Sequence, residues 1–459
     1  MRTWHHRNAL LILLLVIAVA GVPHAGRAAP ADAGLVLEAI QVLDREYVDQ
    51  SLVGRVRLLN AALEGIRETL SRTGIAVEFA QIPSGTPAAE AERIFRERFD
   101  TALTAAGGRV PVQEMTYAAI RAMTAILNDS HTGFLTPQQY RERLARQRRQ
   151  VLFAGVGMVI LPKDGRFYVW QVIPGTPAER QGVRQFDRIV RVGTVATGGL
   201  TSEQVVSMIR GPSGTPVAVT FERSGRSGTF TVTITRAPIV VPSIFAGRML
   251  EPGIGYLHLY EFQNGVSRET RVVLQRLLAQ GMRVLILDLR SNSGGFLHEL
   301  RAVLNLLLPP GLPVYQEASS QGTQVVRTTR VPLLRSQVPV LVLVDESTAS
   351  AAELLAAAMA EHQRGTVVGM KTAGAVEGSI LVELSDGSAM SVTIQRMSTG
   401  KGRRLEGTGI LPDVTVELST EDFLQGRDAQ VARATQIARQ RIGRTASVPA
   451  PSMTVAPRR

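Results

Sequence analysis

Residues 340–359 read VLVLVDESTASAAELLAAAM and follow Pro339. Val340 to Val344 is short, uninterrupted and branched, the composition of a strand buried on both faces. Asp345 to Thr348 supplies a turn, and the alanine-rich run beyond it predicts a helix. Ser350 then falls at or near the start of that helix and at the carboxyl end of a strand, where α/β sheets place nucleophiles and ligands. The N–H groups of a first helical turn are unpaired and carry partial positive charge, so an oxyanion forming beside Ser350 would be stabilised there. A plainer reading of the same residues has Ser347 or Thr348 simply capping the helix.

The rest of the chain bears on that choice. At 459 residues, two or three domains are expected, and 45% hydrophobic against 20% charged residues predicts a globular chain with a sizeable core. The formal charge is +12, but Arg2, Arg7 and Arg27 lie near the start and Arg441, Arg444, Arg458 and Arg459 near the end. Elsewhere basic residues are scattered and aromatic residues are only 5%, which argues against a nucleic-acid groove. With no cysteine, disulfides and thiolate chemistry are excluded. The only lysines are Lys163, Lys371 and Lys401.

Residues 1–31 combine a short basic start, an apolar run from Ala9 to Val22 and a small-x-small site at Ala29, Pro30 and Ala31. This reads as a secretory signal peptide, with an uncleaved anchor as the alternative, and in either case as an exported chain. Residues 32–150 repeat apolar positions at three- and four-residue spacing and read as helical, ending in AILNDSHTGFLTPQQY with His131 in a turn. From Val151 short alternating strands with glycine turns take over, broken by the helical segment TSEQVVSMIR. Here VLFAGVGMVI and VIPGTPAERQGVRQFDRIVRVG resemble a PDZ domain, taken as residues 151–238. Gly155, Val156, Gly157 and Met158 match the loop whose N–H groups receive a peptide carboxyl terminus. The family's usual Gly-Asp is Phe186-Asp187 here.

Residues 239–440 alternate strand and helix as an α/β layer requires. In RSNSGG, Arg290 to Gly295, adjacent glycines follow the buried strand Val284 to Leu289 and let backbone approach a ligand. A helix from about Thr420 to Arg441 reads as amphipathic, packing on the core or on a second subunit as a possible homo-oligomer. Residues 441–459, rich in Pro and small residues, read as a disordered tail.

DSHTGFLTP, the PDZ-like insert, YLHLYEF, LILDLRSNSGG, STASAAE, VVGMKTAGA and RRLEGTGILPDV, in that order, resemble the carboxyl-terminal processing, or tail-specific, serine peptidases. The resemblance implies a crotonase-like α/β fold and protein or peptide substrates with exposed carboxyl-terminal tails. It implies Ser350 as nucleophile, one oxyanion-hole N–H from Gly294 or Gly295, and a second from Ala351. The bacterial branch carries a lysine 25 positions after the serine, where this chain has Ala375. The tricorn-like branch of the clan uses Ser, His and Glu, and His131 in Asp129-Ser130-His131 with Glu406 in RRLEGTGILPD fits that pattern. The implied triad is Ser350, His131 as base, and Glu406 orienting the imidazole. Lys371 folding in from nearby is the alternative base, and a catalytically inactive PDZ peptide-binding adaptor is the alternative function. His258, His298 and His362 read as structural, and no metal spacing or cofactor motif occurs.

Overall fold

Every residue from Val340 to Val344 is fully buried, and the strand lies inside a six-stranded sheet. It runs parallel to Val284–Asp288 on one side and Gly365–Gly369 on the other. The order is Ile244–Glu251, Ile254–Leu259, Val284–Asp288, Val340–Val344, Gly365–Gly369 and Val414–Thr415, with only the first pair antiparallel. Val340, Val342 and Val344 join the larger core with the helices Val266–Ala279, Leu297–Leu307 and Ala351–Glu361. Leu341 and Leu343 face the other way, onto Ala434 and Ala438. The period of two in a strand thus explains why polar residues are missing from it: both faces are dry. Burying each such side chain contributes roughly 1.5–3 kcal/mol.

This is a computed structural model, and it describes residues 32–148, 153–319 and 321–446. The expected leader and most of the expected tail lie outside the described residues. Among the described residues no helix is long and apolar enough to cross a membrane.

Four helices open the described chain: Ala33–Glu46, Arg55–Arg72, Ala88–Ala106 and Val112–Ala125. Their apolar faces form one cluster that also takes in Met390 and Val392 from a second sheet and Leu384 from the turn between two of its strands. In that sheet the short strand Gly133–Leu135 pairs antiparallel with Ala389–Thr399. The pairing carries His131, just before the strand, from the helical region towards the peptidase core.

The β-rich insert forms a sheet ordered Met158–Lys163, Arg166–Val172, Arg188–Val192, Pro216–Glu222 and Thr229–Thr235. Phe153–Gly155 and Ala237–Ile239 pair where the chain enters and leaves it. Tyr168, Trp170 and Phe186 of the insert pack around Phe423 from the end of the chain. Phe186 has φ 69°, in the left-handed region that favours glycine. Its ring fills the joint between insert and core, which gives the departure from Gly-Asp a physical reason. Asp187, fully buried, is held by Arg223 through two hydrogen bonds of 2.6 and 2.7 Å.

The single helix expected over about Thr420 to Arg441 is two: Thr420–Gln425 and Ala429–Ala446. Gly426, with φ 64°, ends the first in a left-handed cap. The second continues beyond Arg441, so the described helix overlaps the start of the expected tail. It packs on the core sheet through Ala434 and Ala438.

Candidate active site

Ser350 stands between the Val340–Val344 strand and the helix Ala351–Glu361 with φ 55° and ψ −124°. That backbone is strained for a residue with a side chain, and such strain collects at functional sites. The turn before it is tightly specified. Thr348 Oγ1 donates to Leu289 O at 3.0 Å and receives Asp345 N–H at 2.9 Å. The Asp345 carboxylate accepts Ser291 N–H at 3.0 Å and Ser347 N–H at 3.1 Å. Burial pushes its pKa above the ordinary value. The capping role that the sequence offered to Ser347 or Thr348 is therefore not theirs. Thr348 fixes the turn, Ser347 is exposed, and Ser350 occupies the cap position.

Glu353, three residues into the helix and fully buried, organises the other side. Its carboxylate accepts Gly374 N–H at 2.8 Å, Ala375 N–H at 2.9 Å, Ser350 N–H at 3.2 Å and the Thr372 hydroxyl. Ser350 N–H also donates to Ala375 O at 2.7 Å. Ala375, the position of the missing lysine, is thereby pinned beside Ser350. Lys371 is exposed and makes no hydrogen bond or ion pair among the described residues, whereas its neighbour Thr372 is buried against Glu353.

On the glycine side of Ser350, Phe262 N–H donates to Gly294 O and Phe296 N–H to Phe262 O, both at 2.8 Å. These bonds hold the glycine pair against Ser350. A Cβ on Gly294 would lie 2.6 Å from Ser350 Cβ and 3.0 Å from Ser350 Oγ, so only glycine fits. The two glycines differ in what they offer. Of the two glycines read as oxyanion-hole candidates, Gly294 donates its N–H to Asn292 Oδ1 at 2.8 Å. Gly295 is exposed, and neither its N–H nor that of Ala351 has a partner among the described residues. Two free N–H groups beside a serine hydroxyl can stabilise a developing oxyanion.

His131 donates its backbone N–H to Asp129 Oδ1 at 2.9 Å, and its ring Nδ1 lies 2.8 Å from Ser130 Oγ. Ser130 Oγ donates to Glu406 Oε1 at 2.6 Å, while Glu406 Oε2 accepts Val376 N–H at 2.8 Å. A hydroxyl has one proton, and Ser130 gives it to Glu406, so Nδ1 must be the N–H donor to Ser130 Oγ. In the neutral imidazole this leaves the lone pair on Nε2, the atom a general base would use. Desolvation lowers the His131 pKa, against the opposing pull of Glu406 and Asp129, and Arg143 lowers it further. Glu406 is therefore linked to the His131 ring through the Ser130 hydroxyl. Among the described residues no hydrogen bond joins His131 to Ser350 Oγ.

The sequence models for peptidase family S41 and for the PDZ domain match residues 253–416 and 168–223 respectively. The carboxyl-terminal-processing protease of Synechocystis sp. is 33% identical over 318 residues, covering 68% of this chain and 74% of that protein. The chain belongs to peptidase family S41. It is a serine-type peptidase. The carboxy-terminal processing protease of Bacillus subtilis is 29% identical over 300 residues, 65% of this chain and 63% of that protein. Among solved structures, a photosystem II D1 C-terminal processing protease superposes with TM-score 0.50 at 29% identity, over 85% of this chain and 94% of its own. A putative S41 protease from Bacteroides fragilis reaches 0.55 at 15% identity, over 88% and 97%, a likeness of fold.

In this S41 peptidase the PDZ sheet ends on the strand Met158–Lys163, whose outer edge has no strand partner among the described residues. Val205 and Ile209, on the helix Ser202–Ile209, share a core cluster with which Met158 and Ile160 pack. In the preceding loop, Val156 O accepts Ala178 N–H and Gly157 O accepts Ile173 N–H, at 2.8 and 3.0 Å. The Val156 and Gly157 N–H groups have no partner among the described residues. The PDZ domain also touches the turn that follows the Val284–Asp288 strand. Trp170 Nε1 donates to Ser291 Oγ at 2.9 Å, and the Arg290 guanidinium sits 5.2 Å from the Trp170 ring centre.

Ser130, Asn292 and Glu353 were missed in the sequence. Ser350-x-x-Glu353 has the spacing of a capping box, which was the available signal for Glu353. His258 is buried between Gln171 and Arg290 O, and His362 Nε2 meets Pro313 O at 2.7 Å. Among the described residues no group of three or more His, Asp or Glu side chains is placed to hold a metal ion.

Proposed function

We propose that this S41 peptidase is an exported endopeptidase with a crotonase-like core, which captures protein carboxyl-terminal tails in its PDZ groove and cuts them through an acyl-enzyme. The observation that carries the reading is the hydrogen-bonded chain Glu406–Ser130–His131, which in the neutral imidazole leaves the lone pair on Nε2. In the reaction, His131 takes the proton of Ser350 Oγ as that oxygen attacks the scissile carbonyl. The tetrahedral oxyanion is held by the N–H groups of Gly295 and Ala351. His131 then passes its proton to the leaving amine, and a water repeats the sequence to release the acid. His131 and Ser350 come within hydrogen-bond reach on substrate binding, as catalytic pairs often do. The tail's carboxylate and backbone would meet the free N–H groups of Val156 and Gly157 and the open edge of Met158–Lys163.

The test is fluorophosphonate labelling of the purified chain together with cleavage of tail peptides. Labelling that vanishes in Ser350→Ala and His131→Ala and persists in Lys371→Ala supports the triad. Activity retained by His131→Ala and lost in Lys371→Ala would replace His131 by the lysine. No labelling and no cleavage, with tail peptides still bound, would leave the adaptor function instead.

A further inference from the structure

Just past the Gly294-Gly295 turn lies a cleft of about 540 Å³ whose lining includes Arg268, Arg271, Arg301, Arg330 and His298, with no carboxylate among its lining residues. All four arginines are exposed, and none forms an ion pair among the described residues. Neither Glu299 nor Glu317 forms an ion pair with these arginines among the described residues. Glu299 is turned to Gly265 and Ser267 N–H at 2.6 and 2.9 Å, and lies 3.8 Å from His298 Nε2. Glu317 feels the charge of Arg301 but is itself half-buried, and burial pushes its pKa up. Four unpaired guanidinium groups around a concave surface repel one another, and a bound anion would relieve that repulsion.

The cleft is also close to the chemistry. His298 is three residues beyond Gly295, so their Cα atoms are at most about 11 Å apart. Arg301 is roughly another 4.5 Å along the helix Leu297–Leu307. An extended peptide advances about 3.3 Å per residue, so a chain crossing Gly295 could reach this wall within some three to five residues of the bond being cut.

We propose that this cleft is a substrate subsite for carboxylate side chains, taking an acidic stretch of peptide a few residues from the scissile bond. The proposal rests on the peptidase reading above and adds a preference that the PDZ groove, which reads the tail's end, does not supply. Arginine forks suit carboxylates because each can donate two parallel hydrogen bonds.

The test uses the full chain carrying Ser350→Ala, so that binding is read without turnover. The probes are a fluorescein-labelled Gly-Ser peptide with four consecutive glutamates and the same peptide with four glutamines, compared by anisotropy at low and moderate salt. The glutamate peptide should bind about ten-fold tighter at low salt and lose that margin as salt rises. Arg271→Gln with Arg301→Gln should erase the margin while leaving the glutamine peptide's affinity unchanged. Both arginines are exposed, so folding should be little affected. Equal binding of the two peptides, or a preference that survives the double substitution, overturns the proposal. So does tight binding to anionic phospholipid vesicles with no peptide preference, which would make the cleft a membrane contact. Because this comparison needs no catalysis, a failure of fluorophosphonate labelling in the unsubstituted chain would sink the peptidase reading separately.

Discussion

Ser130 Oγ lies 2.6 Å from Glu406 Oε1, joining two residues 276 positions apart in the chain. The same oxygen is 2.8 Å from His131 Nδ1, so the acid acts on the imidazole through a hydroxyl. Ser130→Ala should therefore lower kcat about 10- to 100-fold with KM little changed, the usual scale for losing an orienting partner. Ser130→Thr, which keeps the hydroxyl, should recover most of the rate. A purely structural Ser130 would instead give parallel losses of stability and activity in both variants.

The pH dependence follows from the same chain. In the proposed mechanism His131 must be neutral to accept the Ser350 proton, and burial holds its pKa below the ordinary value of 6.5. Activity should thus be full at pH 7 and fall as pH drops, with the half-point of kcat/KM on the acid side of 6.5. Glu406 raises the His131 pKa, so Glu406→Gln removes a stabiliser of the imidazolium. That variant should be slower and should keep its remaining activity to lower pH. A half-point moving up would contradict the arrangement.

Gly294→Ala tests the close approach of the glycine turn to the nucleophile. The added methyl would meet Ser350 Cβ at 2.6 Å and Ala351 N at 3.0 Å, on a backbone with φ 97°. Backbone on both sides is held by hydrogen bonds, so the displacement should fall on Ser350 and on the Ala351 N–H. Losing one oxyanion donor alone costs about 100- to 1000-fold, and the expected loss in kcat is at least of that order. Circular dichroism should show the fold retained.

What could be read from the sequence tracks how local the cause is. Val340 to Val344 announced itself because a strand buried on both faces can carry no polar residue, and Ser350 followed from the strand-to-helix change. The turn carrying His131 was visible from the end of the preceding helix. The choice between Gly294 and Gly295 was not, because it depends on where one Asn292 oxygen points. Ser130 was hidden because its role exists only once the Gly133–Leu135 strand joins Ala389–Thr399 and the fold delivers Glu406 to it. Gly426, by contrast, stood in plain view inside the expected last helix, and as a left-handed cap it divides that helix in two.

At the end of the Val284–Asp288 strand, Asp288 and Arg290 form a fully buried pair with Asp428, Gln430 and Tyr256 attached. Burial by itself would raise the Asp288 pKa, but Arg290, His258 and the Tyr256 hydroxyl hold it down to about 2. A depressed carboxyl contributes stability that is present above its unfolded value near 3.8 and is lost as pH falls through about 2. Arg290→Met leaves that charge buried without its partner and should destabilise the chain by about 3–5 kcal/mol. Urea unfolding at pH 7 measures this, and a change below 1 kcal/mol would contradict the reading.

Ala375 offers the sharpest experiment on the base. Its carbonyl accepts Ser350 N–H and its own N–H is fixed by Glu353, so the residue is bound to the nucleophile's backbone at both ends. A lysine introduced there begins one hydrogen bond from Ser350, in a segment already held by buried contacts. Ala375→Lys in a His131→Ala background should restore part of the fluorophosphonate labelling lost with the histidine. It should do so mainly at alkaline pH, because an amine must be neutral to act as a base and partial burial lowers its pKa only in part. Labelling no greater than in His131→Ala alone, with both proteins folded, would mean that position 375 does not face the reacting hydroxyl. The absence of lysine there would then have no bearing on which base this chain uses.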